Sequence, residues 1–249
     1  MTSARHTHTK QIAGGAAISV TKRPTHRRNE TMTDSRYLEF LTPDNCALLL
    51  IDHQTGTMLG VQDIRLDQFR SNVLALANIG KVHNLPTVLT ASYAEGPNGP
   101  LLPELFELFP DAPYIARPGW INAWEDPEFK AAVENTGRKK LIMAGVTTDV
   151  CLYFPVVSAL AAGYDVYAVY DASGCWDMMS ELTSCMRLAQ AGAIVVNWAV
   201  IAAMLQWDWR RPVAEGTLKN VFGGHLPFYE WLASNQNFTK TQVAGTDEQ

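Results

Sequence analysis

From residue 46 onward, short unbroken apolar runs alternate with segments whose apolar residues recur at helical spacing, and no other feature limits the fold so tightly. A short apolar run bounded by turn residues fits a strand covered on both faces. Strands that take turns with helices assemble into a parallel sheet, because each parallel pair needs a crossover long enough to hold a helix. Strands are expected at 46–51, 87–91, 114–116, 141–144, 165–170 and 194–197. Helices are expected at about 66–82, just before Phe109, from Pro127 to Thr136, from Cys151 to about Ala162, at 180–191 and at 199–207. The first of these places Phe69, Val73, Leu76, Ala77 and Gly80 on one stripe, and Asn84-Leu-Pro86 stops it. Asp126 is positioned to cap a helix whose first residue is Pro127. The expected fold is therefore an α/β domain: a six-stranded parallel sheet with helices on both faces and right-handed crossovers.

Charge divides the chain. Residues 1–31 hold six Lys and Arg against one acid, a net of +5, which leaves 14 basic and 24 acidic side chains elsewhere and −5 overall. An acidic body argues against nucleic acid as a partner. The basic head has no apolar pattern and reads as a solvated, dispensable tail; a targeting segment, or an upstream extension ahead of Met32, are the alternatives. The four cysteines form no C-x-x-C pair, and a chain of 249 residues builds a core without disulfides, so a reduced, cytoplasmic protein is expected. No apolar run approaches the roughly 18 residues of a membrane span.

In a parallel sheet, ligands bind beyond the carboxyl ends of the strands. Reading those positions off gives Asp52, Ser92, Arg117, Thr147 to Cys151, and Asp171. The stretch Lys140-Leu-Ile-Met-Ala-Gly-Val-Thr-Thr-Asp-Val-Cys151 carries a thiol from a strand, through a turn at Gly145, onto a helix start. Pro155 agrees, because a helix tolerates proline only in its first turn. Such a position is expected to favour thiolate, lowering the thiol pKa below its free value of about 8.5. Cys151 can attack a carbonyl, Asp52 can take and return a proton, and Arg117 can hold charge, which together describe nucleophilic acyl transfer. The ordinary alternatives are a helix cap for Asp52, a surface residue for Arg117 and a small buried thiol for Cys151. His53, next to Asp52, is expected to face away from the site, and Asp171 to tie a turn at Ala172-Ser173. The histidines outside the head show no metal-ligand spacing, and no phosphate-binding, dinucleotide or serine-elbow motif occurs. No metal and no cofactor are expected.

Three segments carry a resemblance: Leu-Leu-Leu-Ile-Asp52-His-Gln, Ile-Ala-Arg117-Pro-Gly-x-Ile-Asn-Ala-Trp, and Ala-Gly-Val-Thr-Thr-Asp-Val-Cys151. Together they resemble the signature segments of the isochorismatase-like cysteine hydrolases, and most closely those of the YcaC-like group. Gly96-Pro-Asn-Gly-Pro100, Phe109-Pro-Asp-Ala-Pro-Tyr114, Asp171-Ala-Ser-Gly174 and Gly224-His-Leu-Pro-x-Tyr229 add to it. The resemblance implies a Rossmann-like three-layer α/β/α domain over 37–235, with a basic tail at 1–36 and a C-terminal tail at 236–249. It also implies roles: Asp52 as general acid/base, Arg117 as the cation and Cys151 as the nucleophile. A cis peptide at Val146–Thr147 would turn backbone N–H groups there and at Cys151 toward an oxyanion. Arginine stays protonated, so proton transfer falls to Asp52. Nicotinamidases carry Lys where Arg117 stands and bind zinc through an Asp-x-His motif with no counterpart here, and isochorismatases lack the cysteine, so neither substrate is expected. The implied activity is cleavage of a small amide or related acyl C–N bond through a thioester, by a homo-oligomer, an octamer or a tetramer. Trp120, Asn122 and Trp176 are placed near the pocket mouth, and Trp124 in the core. The alternative is a ring-forming binder without turnover, or a redox-responsive thiol that forms a sulfenic acid or mixed disulfide at Cys151, a reading that Cys175 within disulfide reach would strengthen.

Overall fold

A computed structural model describes residues 39–244, with a compact unit starting at Phe40. The basic tail expected at 1–36 lies outside the described residues. Six strands form one sheet: β1 (Cys46–Ile51), β2 (Thr87–Ser92), β3 (Tyr114–Arg117), β4 (Lys140–Gly145), β5 (Asp165–Val169) and β6 (Ile194–Val196). All pairs are parallel, in the order β3-β2-β1-β4-β5-β6. The helices are α1 (Thr55–Met58), α2 (Leu66–Val82), α3 (Pro103–Leu108), α4 (Pro127–Asn135), α5 (Tyr153–Ala161), α6 (Met178–Ala191) and α7 (Trp198–Gln206). The single turns α8 (Ala214–Gly216) and α9 (Gly223–His225) and a last helix, α10 (Tyr229–Ala244), follow.

Strand β1 shows why the sheet is covered twice. Cys46, Leu48 and Leu50 enter one core with Phe69 and Leu76 of α2 and Ile201 and Leu205 of α7. Ala47, Leu49 and Ile51 enter the other, with Phe129 of α4, Val156 of α5 and Leu188 of α6. Burying each large side chain stabilises by about 1.5–3 kcal/mol, so a one-residue slip of this strand would misplace both sets at once. Helix α2 approaches closely because Gly80 has no side chain; a Cβ there would meet Leu48 Cδ2 at 2.6 Å.

The helix signals act as written in the sequence. Asp126 accepts hydrogen bonds from the N–H groups of Glu128 and Phe129 at 2.8 and 3.2 Å, and Pro127 opens α4. Helix α6 starts earlier than expected because Asp177 caps it, accepting from Met179 and Ser180 N–H. Helix α10 runs across the boundary expected between 235 and 236. No helix among the described residues is long and apolar enough to cross a membrane.

Candidate active site

The strand order reverses direction between β1 and β4, and their carboxyl ends form the crevice where such sheets take ligands. Asp52 leaves β1 there with a φ of 58°, a left-handed backbone that aspartate adopts more readily than most residues. Gly145 ends β4, and its missing side chain lets the following turn fold back over β1. A Cβ on it would sit 3.2 Å from that of Ile51 and 3.3 Å from the backbone of Cys151. The Val146–Thr147 peptide is cis. Residues Thr148–Leu152 then form a π-type turn, and the regular helix begins only at Tyr153, with Pro155 in its first turn. Cys151 is therefore set in a wide turn rather than at a free helix start.

Arg117 ends the edge strand β3, two residues after the buried Ile115 and on the same side of the sheet. It is 1% exposed and is the bulkiest fully buried side chain described. Its Nη2 donates to Asp52 Oδ1, its Nε to Thr90 Oγ1 at 2.9 Å, and its Nη1 to the Trp120 carbonyl. Thr90 Oγ1 donates in turn to the Ile115 carbonyl at 2.8 Å, which leaves its lone pairs facing the guanidinium. Asp52, also 1% exposed, is thus half engaged: Oδ2 accepts no hydrogen bond of ordinary geometry among the described residues. The Cys151 thiol lies beside this carboxylate, close enough that each shifts the other's titration.

The electrostatics correct one expectation. The Cys151 thiol pKa is raised, not lowered: burial comes first and the Asp52 carboxylate second, while the Thr147 N–H and Arg117 pull the other way more weakly. Burial also raises Asp52, against the opposing pull of Arg117. A helix-start field is too small, at about 0.3–1 kcal/mol, to offset desolvation of this size. With one proton shared between thiol and carboxylate, and with Arg117 charged, the group is neutral overall. Losing that proton to solvent would bury a net charge, whereas moving it from sulfur to Asp52 would not.

Other expected residues take other places. Trp120 and Trp176 are 47% and 48% exposed. The carbonyl of Trp120 holds Arg117, and the ring of Trp176 covers Gly60. The Asn122 side chain is committed to the protein, accepting from Trp124 N–H and donating to Ser158 Oγ, both at 3.1 Å. Trp124 packs edge-on against Phe129 and Tyr164. His53 is buried and neutral, its Nε2 donating to the Ala172 carbonyl at 2.8 Å and burial lowering its pKa to about 4. Asp171 does not tie its own turn; its Oδ1 accepts from Trp198 N–H at the start of α7, at 3.0 Å. Two residues escaped the sequence reading: Thr90, and Gln54, whose amide bridges both backbone groups of Ser92 at 3.0 Å and the Gly99 carbonyl. Their signal was a polar side chain inside or directly after an apolar strand. The four cysteines are free thiols. A cleft of about 510 Å³ lies elsewhere, at the amino ends of β2 and β3 between Lys81, Asp111 and Asn135.

The isochorismatase domain model matches residues 46–200, a span that contains Asp52, Arg117 and Cys151. The chain belongs to the isochorismatase family. Within it, the probable hydrolase YcaC of Escherichia coli strain K12 is 49% identical over 195 residues, covering 78% of this chain and 93% of the relative. A structure of YcaC from Pseudomonas aeruginosa, carrying hexane-2,5-diol and covalent acrylamide, is 48% identical, with a TM-score of 0.78 over 80% of this chain and 98% of that one. The E. coli YcaC structure, described as an octameric hydrolase of unknown specificity, is 47% identical with a TM-score of 0.77, over 80% and 97%. These matches establish the YcaC-like resemblance and the parallel α/β fold, and they make this isochorismatase-family chain a hydrolase.

Proposed function

We propose that this isochorismatase-family protein hydrolyses the acyl C–N bond of a small amide or related compound through a thioester on Cys151. The observation that carries the reading is the buried Arg117–Asp52 pair with the Cys151 thiol against its carboxyl group, whose Oδ2 accepts no hydrogen bond of ordinary geometry among the described residues. Asp52 Oδ2 takes the Cys151 proton, and the thiolate attacks the carbonyl carbon. The negative oxygen of the tetrahedral intermediate is met by backbone N–H groups of the turn, among them Thr147, whose N–H is directed at the sulfur. Asp52 returns the proton to the leaving nitrogen as the C–N bond breaks, leaving acyl-sulfur and a free amine. Water then adds to the thioester, giving its proton to Asp52, and collapse releases the acid while the proton goes back to sulfur. Arg117 stays charged throughout and keeps each stage free of net buried charge. Covalent acrylamide on the P. aeruginosa relative supports a nucleophile of this kind, and the octameric E. coli relative supports a homo-oligomer here. Neither a metal nor a cofactor enters these steps, and the partner is a small molecule rather than nucleic acid or membrane.

The test is a screen of small amides, ureides and carbamates, with the acylated Cys151 peptide read by mass after acid quench. A substrate should leave an acyl mass on Cys151, and Cys151→Ala should abolish turnover. Asp52→Asn should lower turnover of that substrate by about 100-fold, the usual contribution of a positioned base. Equal turnover in wild type and Asp52→Asn would end the triad reading.

A further inference from the structure

The reaction above needs one cation to balance one negative charge, and the charges at the carboxyl end of the sheet limit what else the crevice can take. Arginine is the side chain that most often receives a carboxylate, through its planar fork of N–H donors. Arg117 is not free to do so. Its side chain is 0% exposed, and that of Asp52 beside it 1%. All three guanidinium nitrogens are held, Nε by Thr90 Oγ1 at 2.9 Å, Nη2 by Asp52 Oδ1 and Nη1 by the Trp120 carbonyl. A group that water cannot touch is out of a substrate's reach as well, so Arg117 acts from behind the reacting atoms and offers no donor to an incoming anion.

Nor do the neighbouring loops supply a second cation. The connections that leave the carboxyl ends of β1 to β5, residues 52–65, 93–102, 118–126, 146–152 and 170–177, carry eight acidic side chains and one basic one, Arg65. Arg65 is 78% exposed and paired with Asp67 at 3.1 Å. Arg187 of α6 lies over the Tyr153 ring, 3.8 Å from its centroid. At Cys151 itself, burial first and the Asp52 carboxylate second raise the thiol pKa, and each outweighs the opposing pull of Arg117. The large exposed side chains on the same connections include Leu59, Trp120, Ile121 and Trp176, which are apolar.

We propose that the site takes amides whose acyl chain is uncharged and largely apolar, and that it excludes those carrying a carboxylate on that chain. This narrows the substrate class of the thioester reaction and rests on that reading. A carboxylate drawn in beside Cys151 would add a second negative charge where Arg117 already balances the first, with its hydration lost and no donor to receive it. An uncharged chain meets no such penalty, and its carbonyl needs only backbone N–H groups. The same exclusion favours release of product. Water adds to the thioester, the C–S bond breaks, sulfur regains its proton from Asp52, and the acid that departs ionises in solvent to the species the crevice does not hold.

Iodoacetamide and iodoacetate test this on Cys151 in the full chain, because the thiolate displaces iodide from both and the two differ only in an amide against a carboxylate. Rates are read from the mass of the Cys151 peptide, and the amide-to-acid ratio is divided by that of the same peptide in denaturant. The quotient should be at least ~10, a lower bound for one uncompensated like charge within a few ångströms. It should stay there in ~1 M salt, which screens exposed acids far more than buried charge. A second contrast dispenses with the thiol and decides the matter if Cys151 reacts with neither reagent: butanamide should raise the melting temperature of Cys151→Ala more than butanoate does at equal concentration. The proposal is overturned by a quotient of one or below, by a quotient that salt abolishes, or by butanoate stabilising Cys151→Ala as well as butanamide does. Absence of an acyl mass on Cys151 with every amide would defeat the thioester reading and leave the charge discrimination standing. Turnover with a quotient of one would do the reverse.

Discussion

At the scale of single residues, the site rests on one cation held by three acceptors. Asp52, Thr90 and the Trp120 carbonyl fix the Arg117 guanidinium in place, leaving it no freedom to follow a substrate. Arg117→Ala leaves Asp52 buried beside a second anion-forming group with nothing to balance it. Breaking a buried pair in this way costs about 3–5 kcal/mol, and the loss should be smaller at pH 5 than at pH 8, because protonating Asp52 removes the stranded charge. Denaturant unfolding of the variant at the two pH values checks the sign. The same change should move Cys151 alkylation to higher pH, since the thiol–carboxylate pair then takes up a second proton more readily. The identities of these residues were legible in sequence, because each ends a strand. The thiol's affinity for its proton was not, because it depends on burial and on a carboxylate 99 positions away along the chain.

At the scale of elements, the carboxyl end of the sheet is secured by a loop that contributes no reacting group. Gly56 of α1 lies against the 96–100 loop; a Cβ on it would stand 2.1 Å from the Pro97 carbonyl, and backbone cannot yield as a side chain can. Its N–H donates to the Asn98 carbonyl at 2.8 Å, close to where Gln54 fastens the end of β2. Gly56→Ala should therefore destabilise by about 1–3 kcal/mol, and a thermal melt of the variant should show it. Strands and capped helices could be located from the sequence because short apolar runs and Asp-Pro or Asn-Leu-Pro punctuation mark them within the chain itself. Helix α10 could not: Trp231, Leu232 and Phe238 leave it without a buried stripe to set a period. Nor could the bond from Gln54 to Ser92, which spans 38 positions and carries no local pattern.

At the scale of the whole molecule, one face of α6 is unusually apolar for a surface. Met178, Met179, Leu182 and Met186 share a stripe and are each more than half exposed, and Trp176 lies just before them. A stripe of this kind normally marks a contact with another protein. If copies of this chain assemble as the E. coli relative does, Leu182→Glu should lower the mass measured by light scattering, with the far-ultraviolet circular dichroism unchanged. An unchanged mass would place the contact elsewhere.

Strand β3 is the outermost of the six and, among the described residues, pairs with β2 alone, yet it supplies the guanidinium, whereas the carboxylate and the thiol follow the two most central strands. Outer strands peel away in partial openings that leave the middle of a sheet intact. The three groups therefore do not share one lifetime. A partial opening can part the Arg117 guanidinium from Asp52 and Cys151 while the central strands stay in register, and under the proposed mechanism such a native-looking sheet is chemically silent.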